Sequence, residues 1–222
     1  MSTNVHKFKN SSRLGSLAAI LAIGLLLAAS SARAVTFDFT SDHCTGGCGT
    51  PPFGTVTLTQ DGTSVDFVVS IAPNIWAKTG STDFELFKFN ATGILLSDIT
   101  VDQTFSGQTL EAQQAAVSGG FNGDGTGNFD FGIACTTCKN GNTGITSDIT
   151  FSVANSTITD FTQGNNLGII FVADIFSSQT TNTGPVDVTG GNNAPDSGST
   201  ALLLGLGLFG LGFVRMPLRK KA

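Results

Sequence analysis

Gly54-Thr55-Val56-Thr57-Leu58-Thr59-Gln60-Asp61-Gly62-Thr63-Ser64-Val65-Asp66-Phe67-Val68-Val69-Ser70-Ile71-Ala72 is the stretch that decides the fold. Val56 and Leu58 alternate with threonines. Val65, Phe67, Val69 and Ile71 then take one face, with Ser64, Asp66 and Ser70 opposite. Side chains on a strand alternate between faces, so a period of two marks a half-buried strand. Asp61-Gly62 between the two runs predicts a hairpin, because glycine tolerates the positive φ of a tight primed turn.

Working outward, the pattern recurs. Ile145, Ile149, Phe151 and Val153 alternate with Thr146, Asp148, Thr150 and Ser152. Further strands are expected at 35–40, 84–90, 94–101, 128–134 and 167–176. The last is apolar on both faces (Leu167, Ile169, Phe171; Ile170, Val172), which predicts a central position. Thr109 to Val117 reads as the one helical segment, carrying Leu110, Glu111, Ala112, Gln113, Gln114 and Ala115. Short strands separated by Gly/Asn turns predict an all-β, antiparallel β-sandwich over residues 35–183. Residues 184–193 are rich in Gly and Asn and read as a linker.

Both ends carry targeting patterns. Lys7, Lys9 and Arg13 precede the apolar stretch 14–29, and Ala32-Arg33-Ala34 is a small-x-small site before Val35. Residues 1–34 therefore read as a signal peptide cut by signal peptidase after Ala34. Pro195-Asp196-Ser197-Gly198 is followed by an apolar run from Ala201 to Val214, then by Arg215, Arg219, Lys220 and Lys221. As a helix, residues 201–218 reach about 27 Å at about 1.5 Å per residue. That is just short of a hydrocarbon core of about 30 Å, so spanning calls for Arg219 and Lys220 to snorkel. The basic end is expected in the cytoplasm and the domain outside.

The tail resembles the PEP-CTERM class of bacterial surface proteins, which are processed by an exosortase. It is closest to the variant whose motif reads Val-Pro-Asp-Ser-Gly; the chain has Ala194 in place of the valine. The resemblance covers 194–222. The stretches 129–138, 149–153 and 171–175 also look like small PEP-CTERM proteins of unassigned activity. The resemblance implies an exosortase-type partner and transient residence in the inner membrane. The envelope or extracellular matrix of a Gram-negative bacterium follows as the destination, with exopolysaccharide as a neighbour. It implies no catalytic residue and no cofactor.

About 160 residues remain between the signals, the size of one domain. All 16 acidic residues of the chain lie between Asp38 and Asp196, opposed there only by Lys78, Lys88 and Lys139, which gives this window a formal charge of −13. Such a field repels nucleic acid and anionic lipid. Four cysteines, Cys44, Cys48, Cys135 and Cys138, fall in the exported part. They admit two local disulfides, crossed disulfides, a four-thiolate zinc site or a redox pair. Export favours disulfides, and two local loops, Cys44–Cys48 and Cys135–Cys138, are the expected pairing. Cys135-x-x-Cys138 follows a strand rather than opening a helix, which disfavours redox chemistry.

Asn122, Asp124 and Asp130 place side-chain oxygens along a glycine-rich loop, as a calcium site does, with Gly127 at the sharp turn. The terminal bidentate glutamate is missing, since Ile133 stands there, and such a string is more often a plain Gly/Asn turn. His43 is the only histidine of the exported part, and the chain has no Gly-x-Ser-x-Gly elbow. No motif joins two carboxylates as a glycosidase requires. Trp76 is either a sugar-stacking residue or part of the core. The sequence therefore predicts a non-enzymatic surface protein, with a glycan- or calcium-binding module as the alternative and a surface hydrolase third.

Overall fold

The computed structural model describes residues 33–71, 75–77, 84–101, 104–105, 107–137, 146–190 and 194–195. In chain order the strands begin with β1 (Ala34–Asp38), β2 (Ser41–Asp42), β3 (Thr55–Asp61), β4 (Ser64–Ser70), β5 (Ile75–Trp76) and β6 (Glu85–Phe89). They continue with β7 (Ile99–Thr100), β8 (Thr104–Phe105), β9 (Gln108–Thr109), β10 (Glu111–Gln114), β11 (Phe121–Asn122) and β12 (Asn128–Phe129). The last five are β13 (Phe131–Ala134), β14 (Ile149–Val153), β15 (Ile169–Phe176), β16 (Thr183–Thr189) and β17 (Ala194–Pro195). Among the described residues the only helical turns are 3-10 turns at Leu96–Asp98 and Ile158–Phe161.

Two antiparallel sheets carry the architecture. The first runs β17-β1-β3-β4-β14-β7. The second runs β10-β13-β6-β15-β16-β2, with β5 also beside β15. Alternation turns one face of each sheet into a shared core. Phe37, Val56, Leu58, Phe67, Val69, Phe151 and Val153 come from the first sheet, and Phe87, Phe89, Phe131, Phe171, Ile175 and Val186 from the second. Their rings meet across the gap: Phe37 is 5.3 Å from Phe171, Phe67 is 5.7 Å from Phe89, and Phe151 is 5.6 Å from Phe89. Burying one such side chain is worth about 1.5–3 kcal/mol.

The β3–β4 hairpin forms with the expected faces and a shifted turn. Asp61 pairs with Ser64, so Gly62-Thr63 makes the two-residue loop. Gly62 alone there has positive φ, +58°, the pattern of a type II′ turn with glycine first. The turn expected at Asp61-Gly62 would put Asp61 at positive φ as well, at a steric cost. The shift is even in register: Leu58 faces Phe67 and Val56 faces Val69, so the apolar faces still coincide.

Two other expectations are corrected. Residues 109–117 do not form a helix. Glu111–Gln114 is an edge strand on β13, with Glu111 opposite Ala134 and Gln114 opposite Phe131. Pairing and the burial of Leu110 override a helical propensity spread over only a few residues. Nor is the segment from residue 184 a linker throughout. Residues 184–189 belong to β16, between β15 and β2, and Val186 and Val188 are fully buried. The Val-x-Val alternation is short, and flanking glycines mask it. Residues 191–193 lie outside the described residues. The expected centrality of 167–176 holds, since β15 is flanked by β6 and β16.

Candidate functional site

The edge of the first sheet brings two expected processing segments together. Ala34 is the first residue of β1 and pairs with Thr59. Val35 pairs with Leu58 on one side and with Pro195 on the other. The start of the sorting motif thus lies beside the expected new N-terminus. Ala32 lies outside the described residues, as do Asp196, Ser197, Gly198, Arg215, Arg219, Lys220 and Lys221. Residues 1–32 of the expected signal peptide and the C-terminal apolar span also lie outside them. Among the described residues no helix is long and apolar enough to cross a membrane.

Cys44 and Cys48 are joined in a disulfide with Cα atoms 5.3 Å apart. The glycine loop allows this short closure, with Gly46 and Gly47 at φ +88° and +83°. Asp42 Oδ1 accepts the Cys48 N–H at 3.1 Å. Asp42, Cys44 and Cys48 gather in the manner of metal ligands, but paired sulfurs offer no thiolate. Cys135 is also disulfide-bonded; Cys138, its expected partner, lies outside the described residues. With these sulfurs paired, no four-thiolate zinc site forms.

Two of the expected calcium residues, Asn122 and Asp130, accept hydrogen bonds from within the protein. Asn122 Oδ1 accepts the Asp124 N–H at 3.0 Å, and Asp124 sits at φ +49° in the turn between β11 and β12. Asp130 Oδ1 accepts from Ser118 Oγ at 2.9 Å and from the Gly119 N–H. Asp130 instead lines a cleft of about 400 Å³ with Asn90, Asn128, Gln163, Asn165 and Asn166. Two of its amides are held by hydrogen bonds. Asn90 Oδ1 accepts the Asp130 N–H at 2.8 Å. Asn165 donates to the Thr126 carbonyl at 2.7 Å and accepts the Leu167 N–H at 2.9 Å. This amide-rich cleft joins segments far apart in sequence, and no local motif announces it.

Trp76 is buried at 1% exposure and donates its indole N–H to the Ser147 carbonyl at 3.0 Å, which removes it as a sugar-stacking platform. His43 has a partner the sequence does not disclose: its Nε2 lies 2.8 Å from Asp187 Oδ2, across 144 positions. Asp187 is fully buried on β16, and its Oδ1 has no hydrogen-bond partner among the described residues. No serine or threonine hydroxyl among the described residues is hydrogen-bonded to His43. A second buried pair joins Lys88 Nζ to Asp174 Oδ2 at 2.8 Å.

Residues 195–215 match the family model of the VPDSG-CTERM motif. The chain therefore carries a PEP-CTERM-like exosortase sorting signal, which begins at the edge strand β17. Such a signal implies export, a membrane-anchored precursor, processing by an exosortase-type enzyme, and then the surface. No curated protein matches the chain, and no solved structure matches it.

Proposed function

We propose that this chain is a non-enzymatic structural protein of the cell surface or extracellular matrix, built as a β-sandwich and delivered by exosortase-type sorting. The VPDSG-CTERM match at residues 195–215 carries the reading. Two antiparallel sheets meeting through phenylalanine rings support the sandwich. The acidic exported part keeps the domain soluble and unattracted to anionic lipid or nucleic acid. The test replaces Pro195, Asp196 and Ser197 together with alanine. An uncleaved membrane form should accumulate, seen by fractionation with antibody to the domain. Release at the normal rate would reduce the tail to a plain anchor and end the proposal.

The amide-lined cleft favours a second reading, a module for neutral glycans. Its side chains supply paired donors and acceptors without a cation, and Asp130 already engages Ser118 and Gly119. Hydroxyl-rich, uncharged ligands match such a lining. Retention of the full-length protein on a neutral polysaccharide resin, lost on Asn166→Ala and Gln163→Ala, supports this reading. Equal retention by the variants opposes it.

A further inference from the structure

Three ionisable side chains lie inside the protein on the face of the second sheet opposite the phenylalanines. Lys88 is 1% exposed, Glu85 7% and Asp174 7%. Lys88 Nζ is 2.8 Å from Asp174 Oδ2 and 3.1 Å from the main-chain oxygen of Glu85. The backbone explains how they meet. Lys88 pairs with Val172 across β6 and β15. Asp174 lies two residues beyond Val172 on the same face, a diagonal neighbour within reach of a long side chain.

Glu85, three residues before Lys88, belongs on the other face by simple alternation. A bulge between Ile133 and Ala134 changes the register there, and bulges re-aim side chains. Gly132 is the residue opposite Lys88 on β13. A Cβ on Gly132 would lie 2.5 Å from Glu85 Cγ. The missing side chain of Gly132 thus makes room for Glu85 beside the lysine.

In water a lysine and an aspartate are inert to each other, because the amine is protonated and a carboxylate is no electrophile. Burial penalises both charges, and the neutral amine and neutral acid become the competing state. A neutral amine is a nucleophile. Fixed contact also replaces a bimolecular encounter, an advantage equivalent to roughly 10⁵–10⁸ M for well-oriented groups.

We propose that Lys88 and Asp174 condense into an intramolecular amide cross-link, with Glu85 relaying the protons. The Nζ lone pair forms a bond to Asp174 Cγ, and one Cγ–O bond breaks. The departing oxygen leaves as water, carrying the proton of the acid and one from the amine. Glu85 takes the proton from nitrogen and returns it to the leaving oxygen. Nothing is oxidised or reduced. The product ties β6 to β15 in the middle of the second sheet, where a surface protein under tension gains most from a bond that cannot unzip.

The test is peptide mapping of the full-length protein, purified in detergent, denatured and digested. The expected result is a branched peptide joining the Lys88 and Asp174 segments, lighter than their sum by one water. Lys88→Arg and Asp174→Ala should abolish it. Glu85→Gln, nearly isosteric, should fold and slow the linkage by roughly 100-fold or more. Recovery of the Cys44–Cys48 disulfide reports folding in each sample. Folded wild-type protein that yields both peptides unlinked would leave an ion pair only and overturn the proposal. Linkage in Glu85→Gln at the wild-type rate would remove Glu85 from it.

Discussion

The ring of Phe67 stacks on that of Phe151, with centroids 4.4 Å apart and planes 13° from parallel. The same ring meets Phe161 edge-on at 4.9 Å and reaches Phe89 and Phe171 of the facing sheet. Phe67 therefore joins a hairpin, a 3-10 turn and the second sheet in one cluster. Phe67→Ala should destabilise the fold by about 3–5 kcal/mol, since the cavity cannot collapse between four rings. Phe67→Leu should cost less than half as much. Urea unfolding followed by the fluorescence of buried Trp76 measures both. Equal losses would mean that the aromatic contacts, not side-chain volume, carry the stabilisation.

The Cys44–Cys48 bridge closes a short loop, so its constraint on the unfolded chain is small. Replacing both cysteines by serine should cost about 2 kcal/mol on the loop-entropy estimate. The loop has other ties: Thr180 Oγ1 and Asn182 Nδ2 both donate to the Gly47 carbonyl, at 2.9 and 2.8 Å. The double variant should therefore still fold. Denaturation midpoints with and without reductant check this; a loss above twice that figure would assign the bridge a role in native packing.

Orientation of the tail should depend on its charges rather than on its motif. Arg215, Arg219, Lys220 and Lys221 follow the apolar run directly. Changing all four to glutamine should weaken retention of the C-terminus on the cytoplasmic side. Protease protection of a C-terminal tag reads the outcome. Unchanged protection would show that the apolar run alone sets the topology.

What was legible in the sequence follows from range. The β3–β4 hairpin could be read because its turn and both apolar faces lie within nineteen consecutive residues. β15 could be read as central because both its faces are apolar. β10 escaped because Glu-Ala-Gln-Gln is intrinsically helical, and only pairing with β13 makes it a strand. β16 escaped because its two core valines sit among turn-forming residues. The Cys44–Cys48 loop was legible from spacing, and the sorting signal from its linear order. His43–Asp187, Lys88–Asp174 and the amide cleft were not, since each joins residues that only the sheet order brings together.

Ala34 is paired with Thr59, and Val35 lies between Leu58 and Pro195 with its side chain buried. A protease that binds its substrate as an extended chain cannot reach the Ala34–Val35 bond once β1 is held on both sides. Cleavage by signal peptidase should therefore precede closure of the first sheet. Folded precursor, purified with residues 1–34 attached, should resist the peptidase, while urea-unfolded precursor diluted into the assay should be cut to a protein beginning at Val35. Ala34→Asp should block the cut by filling the small-residue subsite. N-terminal sequencing against time reads all three samples. If the folded precursor is cut as fast as the unfolded one, β1 is not locked by its neighbours, and pairing at this edge places no order on processing.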